Sequence, residues 1–555
     1  MQADHHGDPA SLPLSAPSRA ELAEQAATAT VEGPVLAVQT STGMAGADSP
    51  FAGVSPLDGE PLPAVEATPV ASIAAMVARA REAQADWSGR SVRARADAMA
   101  KLKRSILARA DEIALLARRE CGKPLEEAAL AEVVPTADLF DHWCSVIEEL
   151  LEPETLELDP LAYPGKLGRT HRVPRGVLGL ITPWNYPVAI PLRTMVPALL
   201  AGNAVMLKPS EITPRCGALV ASLFDGLGVP GLVQVVQGGG DAGRALIEAG
   251  VDVVAFTGSV TTGRRVAVAC AERFVPCSLE LGGKDAAIVL DDCDVERTAR
   301  GLVWGAFTNA GQNCASIERA FVVKGVAQRL LARVVELTRA LRPGIDMGVL
   351  TTATQARVVR AHVEEALARG AALLAGALPD DATSLAIPPI VLRVESDELA
   401  VMRDETFGPV LPMMVVNDAD EAIRRANDCR YGLTTSIWTR RTGEAQRIAR
   451  RLESGVVTIN NHGFTAALPA APWTGVRDTG VGVTNSVHAL AELTRPRFVL
   501  EDSSRAKAEL WWHPYTPTLR SIAFAMAKLR GGAGLMGRLR ALFTLLGALP
   551  RRLLG

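Results

Sequence analysis

At 555 residues and 48% apolar side chains, the chain has material for two to four domains with large cores, the size and make-up of a globular enzyme. A formal net charge of −3 and a pI near 6.3 exclude the broad basic footprint of a nucleic-acid-binding protein. Eight cysteines, at 121, 144, 216, 270, 277, 293, 314 and 429, show no C-x-x-C or Cys/His ligand spacing, which points to reduced thiols in a cytoplasmic protein without structural zinc.

Residues 1–45 are rich in Ala, Ser, Thr, Pro and Gly, lack an apolar run of signal-peptide length, and read as a disordered leader; His5-His6 lies within it and is no ligand site. Ser55 to Glu60 reads as a hairpin turn between short strands. Apolar residues at three- and four-residue spacing then predict helices over Val70–Trp87, Ser91–Arg109 and Asp111–Glu120. Gly122-Lys123-Pro124 breaks the pattern, which resumes from Leu125 to Leu151. From Gly176 strand and helix alternate. Val177–Ile181, Ala204–Leu207, Val233–Val236 and Val253–Phe256 are strands, with helices over Pro191–Ala201, Cys216–Leu227 and Arg244–Ala249 between them. That rhythm predicts an α/β fold with a parallel sheet, whose ligands sit beyond the carboxyl ends of the strands. Gly238 to Gly243 precedes a helix and could offer backbone N–H groups to a phosphate, although it is not the G-x-G-x-x-G fingerprint.

The stretch from Glu280 to Ser316 carries the chemistry. Glu280 lies between Leu279 and Leu281, ahead of the apolar run 286–290, and burial there raises a carboxyl pKa towards the range of a general base. A structural acid paired with Lys or Arg is the alternative. Cys314, in Gly311-Gln312-Asn313-Cys314-Ala315-Ser316, has small polar neighbours that leave room for a substrate and suit a thiolate nucleophile; a small buried hydrophobe is the alternative. Gly311 and Asn313 suggest a tight loop with N–H groups aimed at an oxyanion.

Glu280-Leu281-Gly282-Gly283-Lys284 and Gly311-Gln312-Asn313-Cys314, at this separation, resemble the active-site core of the NAD(P)-dependent aldehyde dehydrogenase superfamily. Five further blocks agree in order: Thr182 to Pro187, Lys208 to Glu211, Phe256 to Ser259, Glu405 to Pro409, and Tyr431-Gly432-Leu433 ahead of Val456 to Asn461. The resemblance runs from about residue 50 to about residue 500. It implies a Rossmann-type cofactor domain over 46–153 and 175–282, an α/β catalytic domain over 283–484, and a small oligomerisation sheet from 154–174 and 485–500, two segments with poor helical pattern. It implies Cys314, Glu280, Asn185 and Lys208 as the catalytic set. It also implies a cofactor site of Thr182, Pro183, Trp184, Lys208, Ser210, Glu211, Gly239, Gly243, Phe256, Thr257, Gly258, Ser259, Thr262, Leu281, Gly282, Glu405 and Phe407. Within it Lys208 and Glu211 meet the adenine ribose, and Glu405 and Phe407 hold the nicotinamide end.

A carboxylate at Glu211 accepts a ribose hydroxyl and repels a 2′-phosphate, which favours NAD over NADP; a solvated residue capping the next turn is the alternative. Lys284 is expected to support the site by hydrogen bonding, or to be a surface lysine. No metal is implied. The expected reaction is oxidation of an aldehyde through a cysteine thiohemiacetal and thioester. The rivals are acyl transfer to coenzyme A and a non-catalytic membrane-associated scaffold. Where relatives have a Pro-Phe-Gly-Gly block this chain has Pro472-Trp473-Thr474-Gly475, beside the substrate mouth, so substrate choice is not carried over. Homodimers or homotetramers are expected by the same analogy.

Residues 501–555 lie beyond the pattern. From Ser503 they carry Arg505, Lys507, Arg520, Lys528, Arg530, Arg538, Arg540, Arg551 and Arg552 against one acid, Glu509. Leu519, Ile522, Met526 and Leu529, then Leu535, Leu539, Leu542, Leu546 and Leu549, recur at helical spacing. Both stretches fall short of the roughly 18 apolar residues of a membrane span. A basic face opposite a Leu-rich one suits the headgroup layer on the cytoplasmic side of an anionic membrane, as does Trp511-Trp512-His513-Pro514-Tyr515. Packing on the enzyme's own surface is the alternative. Membrane contact would favour a long-chain aldehyde.

Overall fold

A computed structural model describes residues 51–159, 163–504, 509–532 and 534–553. The leader, His5-His6, Arg505 and Lys507 lie outside the described residues, as do the side chains of Arg551 and Arg552. β1 (Phe51–Val54) and β2 (Pro61–Val65) form the expected hairpin, closed by the Gly59 N–H donating to the Ser55 carbonyl.

The first large sheet runs in the order β17 (Gly480–Val481), β9 (Cys277–Glu280), β8 (Val253–Thr257), β5 (Val177–Ile181), β6 (Ala204–Lys208), β7 (Val233–Val235), all parallel except β17. Every residue of β5 and β6 is buried, as continuous apolar runs covered on both faces should be. β6 lies on one side of β5 and β8 on the other, so the chain reverses direction there. The crevice beyond their carboxyl ends is where such sheets take ligands. It is bordered by Thr182 to Asn185 after β5 and by Gly258-Ser259 after β8.

The second sheet has the order β12 (Ala372–Ala375), β13 (Ile390–Val394), β14 (Val410–Val416), β11 (Ile317–Val323), β10 (Asp285–Val289), β15 (Thr434–Trp438), β16 (Val456–Ile459), with only β12 antiparallel. The chain passes between the sheets at Leu281 to Lys284. Gly480–Val481, placed by sequence in the second domain, return to the edge of the first sheet.

Helix runs from Leu125 to Leu150 as expected, with one wide turn at Ala129–Val133, just ahead of Pro135, which has no N–H to donate. Glu132 in that turn reaches across to the helix Ala189–Ala201. Its Oε2 accepts from the N–H groups of Val188 and Ala189 at 3.2 and 2.8 Å, placing an anion at the positive helix end.

β3 (Glu154–Leu156), β4 (Lys166–Pro174) and β18 (Thr494–Asp502) form the small antiparallel sheet. Ser486–Leu493, read from sequence as non-helical, is an α-helix that buries Ala489, Leu490 and Leu493 against the helix Ala189–Ala201. Two turns are too short for periodicity to register; tertiary packing fixes them. At the C-terminus the helices Pro517–Ala527 and Leu535–Leu553 pack on each other and bury Ile522, Ala525 and Ala541. Phe524, Leu535, Met536, Phe543 and Leu546 stay exposed. Among the described residues no helix is long and apolar enough to cross a membrane.

Candidate active site

Cys314 follows a single tight turn, Thr308–Gly311, in which Asn309, Ala310 and Gly311 all have positive φ, 52°, 55° and 72°. A side chain at Gly311 would put its Cβ 2.1 Å from the Gly408 carbonyl oxygen, so glycine is required for close approach as well as for conformation. Of the two strained residues before it, Asn309 is held by hydrogen bonds. Glu127 accepts from the Asn309 N–H and, at 2.8 Å, from the Thr308 hydroxyl. The Asn309 amide donates at 3.0 Å to both the Asn185 and the Gln312 carbonyls. The Gln312 amide bridges the carbonyls of Asn309 and Val349.

Asn185 arrives from the end of β5, and its Nδ2 donates to the Gln312 carbonyl at 3.1 Å. Its own carbonyl accepts from Lys123 Nζ at 2.9 Å, and Lys123 is wholly buried in a pair with Glu132. The structure therefore brings Asn185 to the cysteine loop.

Glu280 ends β9, and burial raises its carboxyl above the ordinary value against the pull of the Arg193 guanidinium. Arg193 lies 2.5 Å from Glu280 Oε2, and the Thr484 hydroxyl donates to Oε1. Burial, then the charge of Glu280, push the Cys314 thiol up to about 12; Arg193 pulls it down. Carboxyl, thiol and guanidinium thus share one electrostatic site.

Neither Arg193 nor Thr484 was singled out from sequence. The available signal was one cation inside the apolar run of the helix Ala189–Ala201.

Lys208 pairs with Glu211 at 3.2 Å at the end of β6, which places it beside the other ribose candidate. Lys284 is no surface lysine: it is buried, 2.5 Å from Glu318 and 3.1 Å from the Thr406 hydroxyl. Glu318 also accepts from the Thr406 and Phe407 N–H groups, fixing the loop that presents Glu405 and Phe407. Phe407 meets Trp184 edge-on, with ring centroids 5.6 Å apart. Glu405 accepts from Gly283 N–H at 3.1 Å, and burial pushes its carboxyl up to about 8. A Cβ at Gly282 would strike Glu405 Oε2.

The crevice beyond β5 and β8 has the donors that a dinucleotide needs. Ser259 caps the helix Val260–Ala271, accepting from Thr262 N–H, and Gly239 opens the helix Gly240–Glu248. A Cβ at Gly239 or Gly240 would meet nothing within 4 Å, so a ligand has free approach to that backbone. The Thr182 hydroxyl is buried there without a protein partner. Phe256, Thr257, Gly258 and Leu281 lie along the same strand ends. Gly243 sits one turn into its helix, and Ser210 follows β6 beside Lys208.

From Cys314 a cavity of about 1160 Å³ opens outwards. Its wall is mostly apolar, with Leu139, Ile190, Val303, Phe307, Leu341 and Met347 among its residues. At its rim Leu130, Trp304, Ile345 and Phe464 are exposed.

The chain matches the profile of the aldehyde dehydrogenase family over residues 44–499. It is 37% identical over 471 residues to a 4,4'-diapolycopene aldehyde oxidase of Methylomonas sp., covering 84% of this chain and 88% of the relative. It is similar to the crystal structure of lactaldehyde dehydrogenase from Escherichia coli, with a TM-score of 0.78 at 32% identity over 82% of this chain and 96% of that one. It is similar also to NADP-dependent glyceraldehyde-3-phosphate dehydrogenase from Bacillus halodurans C-125 complexed with NADP, with a TM-score of 0.77 at 33% identity, over 82% and 96% of the two chains.

Proposed function

The chain belongs to the aldehyde dehydrogenase family and oxidises an aldehyde to a carboxylic acid with a nicotinamide dinucleotide; from that premise we propose that its substrate is a long apolar aldehyde and its cofactor NAD. The observation that carries the substrate class is the cavity at Cys314, which exceeds the ~300–1,000 Å³ usual for small-molecule sites and is lined mainly by hydrocarbon. The Methylomonas relative is named for an aldehyde of that kind.

Cys314 attacks the carbonyl carbon as thiolate. The side-chain amide of Asn185 and the Cys314 N–H stabilise the oxyanion, an interaction whose loss costs about a hundred- to a thousand-fold in rate. Thr182, Ser259, Glu211 and Glu405 would hold NAD, with Gly239 and Gly258 allowing its approach, and the cofactor would supply a hydride acceptor for the oxidation. Glu280 then takes a proton from water, which cleaves the thioester and frees the acid. A base paired to the thiol in this way favours water over coenzyme A as the acyl acceptor.

Glu211 supports NAD, because its half-exposed carboxylate repels a 2′-phosphate where the ribose would sit. Two further readings rest on the surface. The small sheet exposes Leu156, Phe498, Val499 and Leu500, which supports subunit contact through it in a dimer or tetramer. The C-terminal helix pair has an apolar face and the basic residues Arg520, Lys528, Arg530, Arg538 and Arg540, which supports peripheral contact with an anionic membrane. The segment ahead of it is tied to the small sheet through Lys166, 2.5 Å from Glu509.

The test is NADH formation with straight-chain aldehydes from two to sixteen carbons. kcat/KM should climb with chain length, by about tenfold for every two or three methylenes buried. A profile that peaks at two to four carbons would refute the substrate class.

A further inference from the structure

We propose that Arg193 is a positioning residue for the hydrolytic half of the reaction: its guanidinium, fixed between the Glu280 carboxylate and the indole of Trp473, holds that carboxylate towards the Cys314 acyl group. This rests on the reading of Cys314 as nucleophile and Glu280 as base, and adds a residue to them.

Arg193 and Glu280 are 12% and 13% exposed, with 2.5 Å between guanidinium and carboxylate. The guanidinium carbon stands 6.0 Å from the centre of the Trp473 ring, a cation over an aromatic face. The second carboxylate oxygen is held by the Thr484 hydroxyl. Each oxygen of Glu280 therefore has one donor, and the two donors come from opposite sides in sequence, 87 and 204 residues away. Such a carboxylate has a set direction, which a water-activating base needs and a merely buried acid does not.

Charge points the same way. The Arg193 cation pulls the Glu280 carboxyl down against burial. Around Cys314 the anions Glu280, Asp285 and Glu405 oppose the cation Arg193. Arginine keeps its proton in a protein, so its half of the clamp stays charged at any working pH, and the planar group can pair and stack at once. Without it, the carboxylate would keep the Thr484 hydroxyl but lose its counter-charge, and burial in this apolar wall favours the protonated form that cannot take a proton from water. The cation is thus required for the base to work near neutral pH, although it takes no part in bond making.

The experiment uses p-nitrophenyl acetate with the full-length enzyme. The ester acylates the thiol, a C–S bond forming as the C–O bond to nitrophenolate breaks. Water then cleaves the thioester, returning thiol and acetate. No hydride leaves and no cofactor is needed, so the assay reads the Glu280 step whichever aldehyde the enzyme prefers. Burst and steady release of nitrophenolate are followed from roughly pH 5 to 9 in wild type, Arg193→Met and Arg193→Lys. The methionine variant should keep the burst, while the acidic limb of its steady rate moves up by about one to three pH units. The lysine variant should recover most of that shift. Arg193→Gln, which keeps hydrogen bonds without the charge, serves if Arg193→Met fails to fold, and should shift in the same direction. Superimposable limbs in wild type and the uncharged variant overturn the proposal, whatever happens to thermal stability. So does an equal shift in the lysine variant. Nitrophenolate release that survives Cys314→Ala refutes the nucleophile reading, and the proposal falls with it.

Discussion

The side-chain amide of Asn185 donates to the main-chain carbonyl of Gln312, two residues before Cys314, and so ties the loop after the central strand of one sheet to the turn that leads into the other. The amide that is to stabilise the oxyanion and the thiol that is to create it are consequently held by one short network, which also includes Asn309. Changes at either end should act on chemistry more than on cofactor binding.

Cys314→Ala should abolish aldehyde oxidation and leave NAD binding within a few-fold of wild type, measured by titration of tryptophan fluorescence. Covalent catalysis leaves little residual rate. More than about a tenth of the wild-type kcat would remove Cys314 from the mechanism.

Glu280→Gln should release one equivalent of NADH in a burst and then stall at the thioester, because the amide cannot accept a proton from water. Stopped-flow absorbance separates the two phases. Steady turnover at the wild-type rate without a burst would make Glu280 structural.

Cys314 in the free enzyme should react slowly with iodoacetamide at neutral pH. Its thiol is pushed up to about 12, so the thiolate fraction, and with it the rate, should rise about tenfold per pH unit through pH 9 without levelling off. Labelling is counted by peptide mass, with the Cys314→Ala protein as blank. A plateau below pH 8 would contradict this environment.

Glu211→Gln should narrow the preference for NAD over NADP by about tenfold or more, chiefly through KM, because it removes a charge that repels a 2′-phosphate. Parallel initial-rate series with the two cofactors decide it. An unchanged ratio would assign Glu211 to its contact with Lys208 alone.

Truncation after Asp502 should abolish co-sedimentation with anionic liposomes at low salt while leaving turnover of a short soluble aldehyde unchanged. Salt should weaken binding of the full chain, since basic side chains supply part of it. Equal, negligible sedimentation of both proteins would reject membrane contact and the delivery of substrate from a bilayer.

Much of this architecture was legible in the sequence because its signals are local. The strands Val177–Ile181 and Ala204–Lys208 are unbroken apolar runs, Gly311 sits in a loop that only glycine can close, and Glu280 stands out between leucines. What escaped depends on partners far along the chain. Arg193 has no meaning until Glu280, 87 residues later, is folded against it. Lys284, left open as a support or a surface residue, is buried because Glu318 lies 34 residues further on. The helix Ser486–Leu493 is made by the surface it covers, and two turns of it carry too little pattern to announce themselves.

The short strand β17 lies beside β9 with Gly480 opposite Glu280 and Val481 opposite Leu279, and Thr484 follows it. A ribosome that has delivered Glu280 must therefore add some two hundred further residues before the strand carrying the base gains its outer neighbour. The entropy of closing so long a loop makes that pairing a late event, after the local contacts of each sheet. A nascent chain released early would therefore carry a nearly complete first sheet in which Glu280 still lacks its outer neighbour.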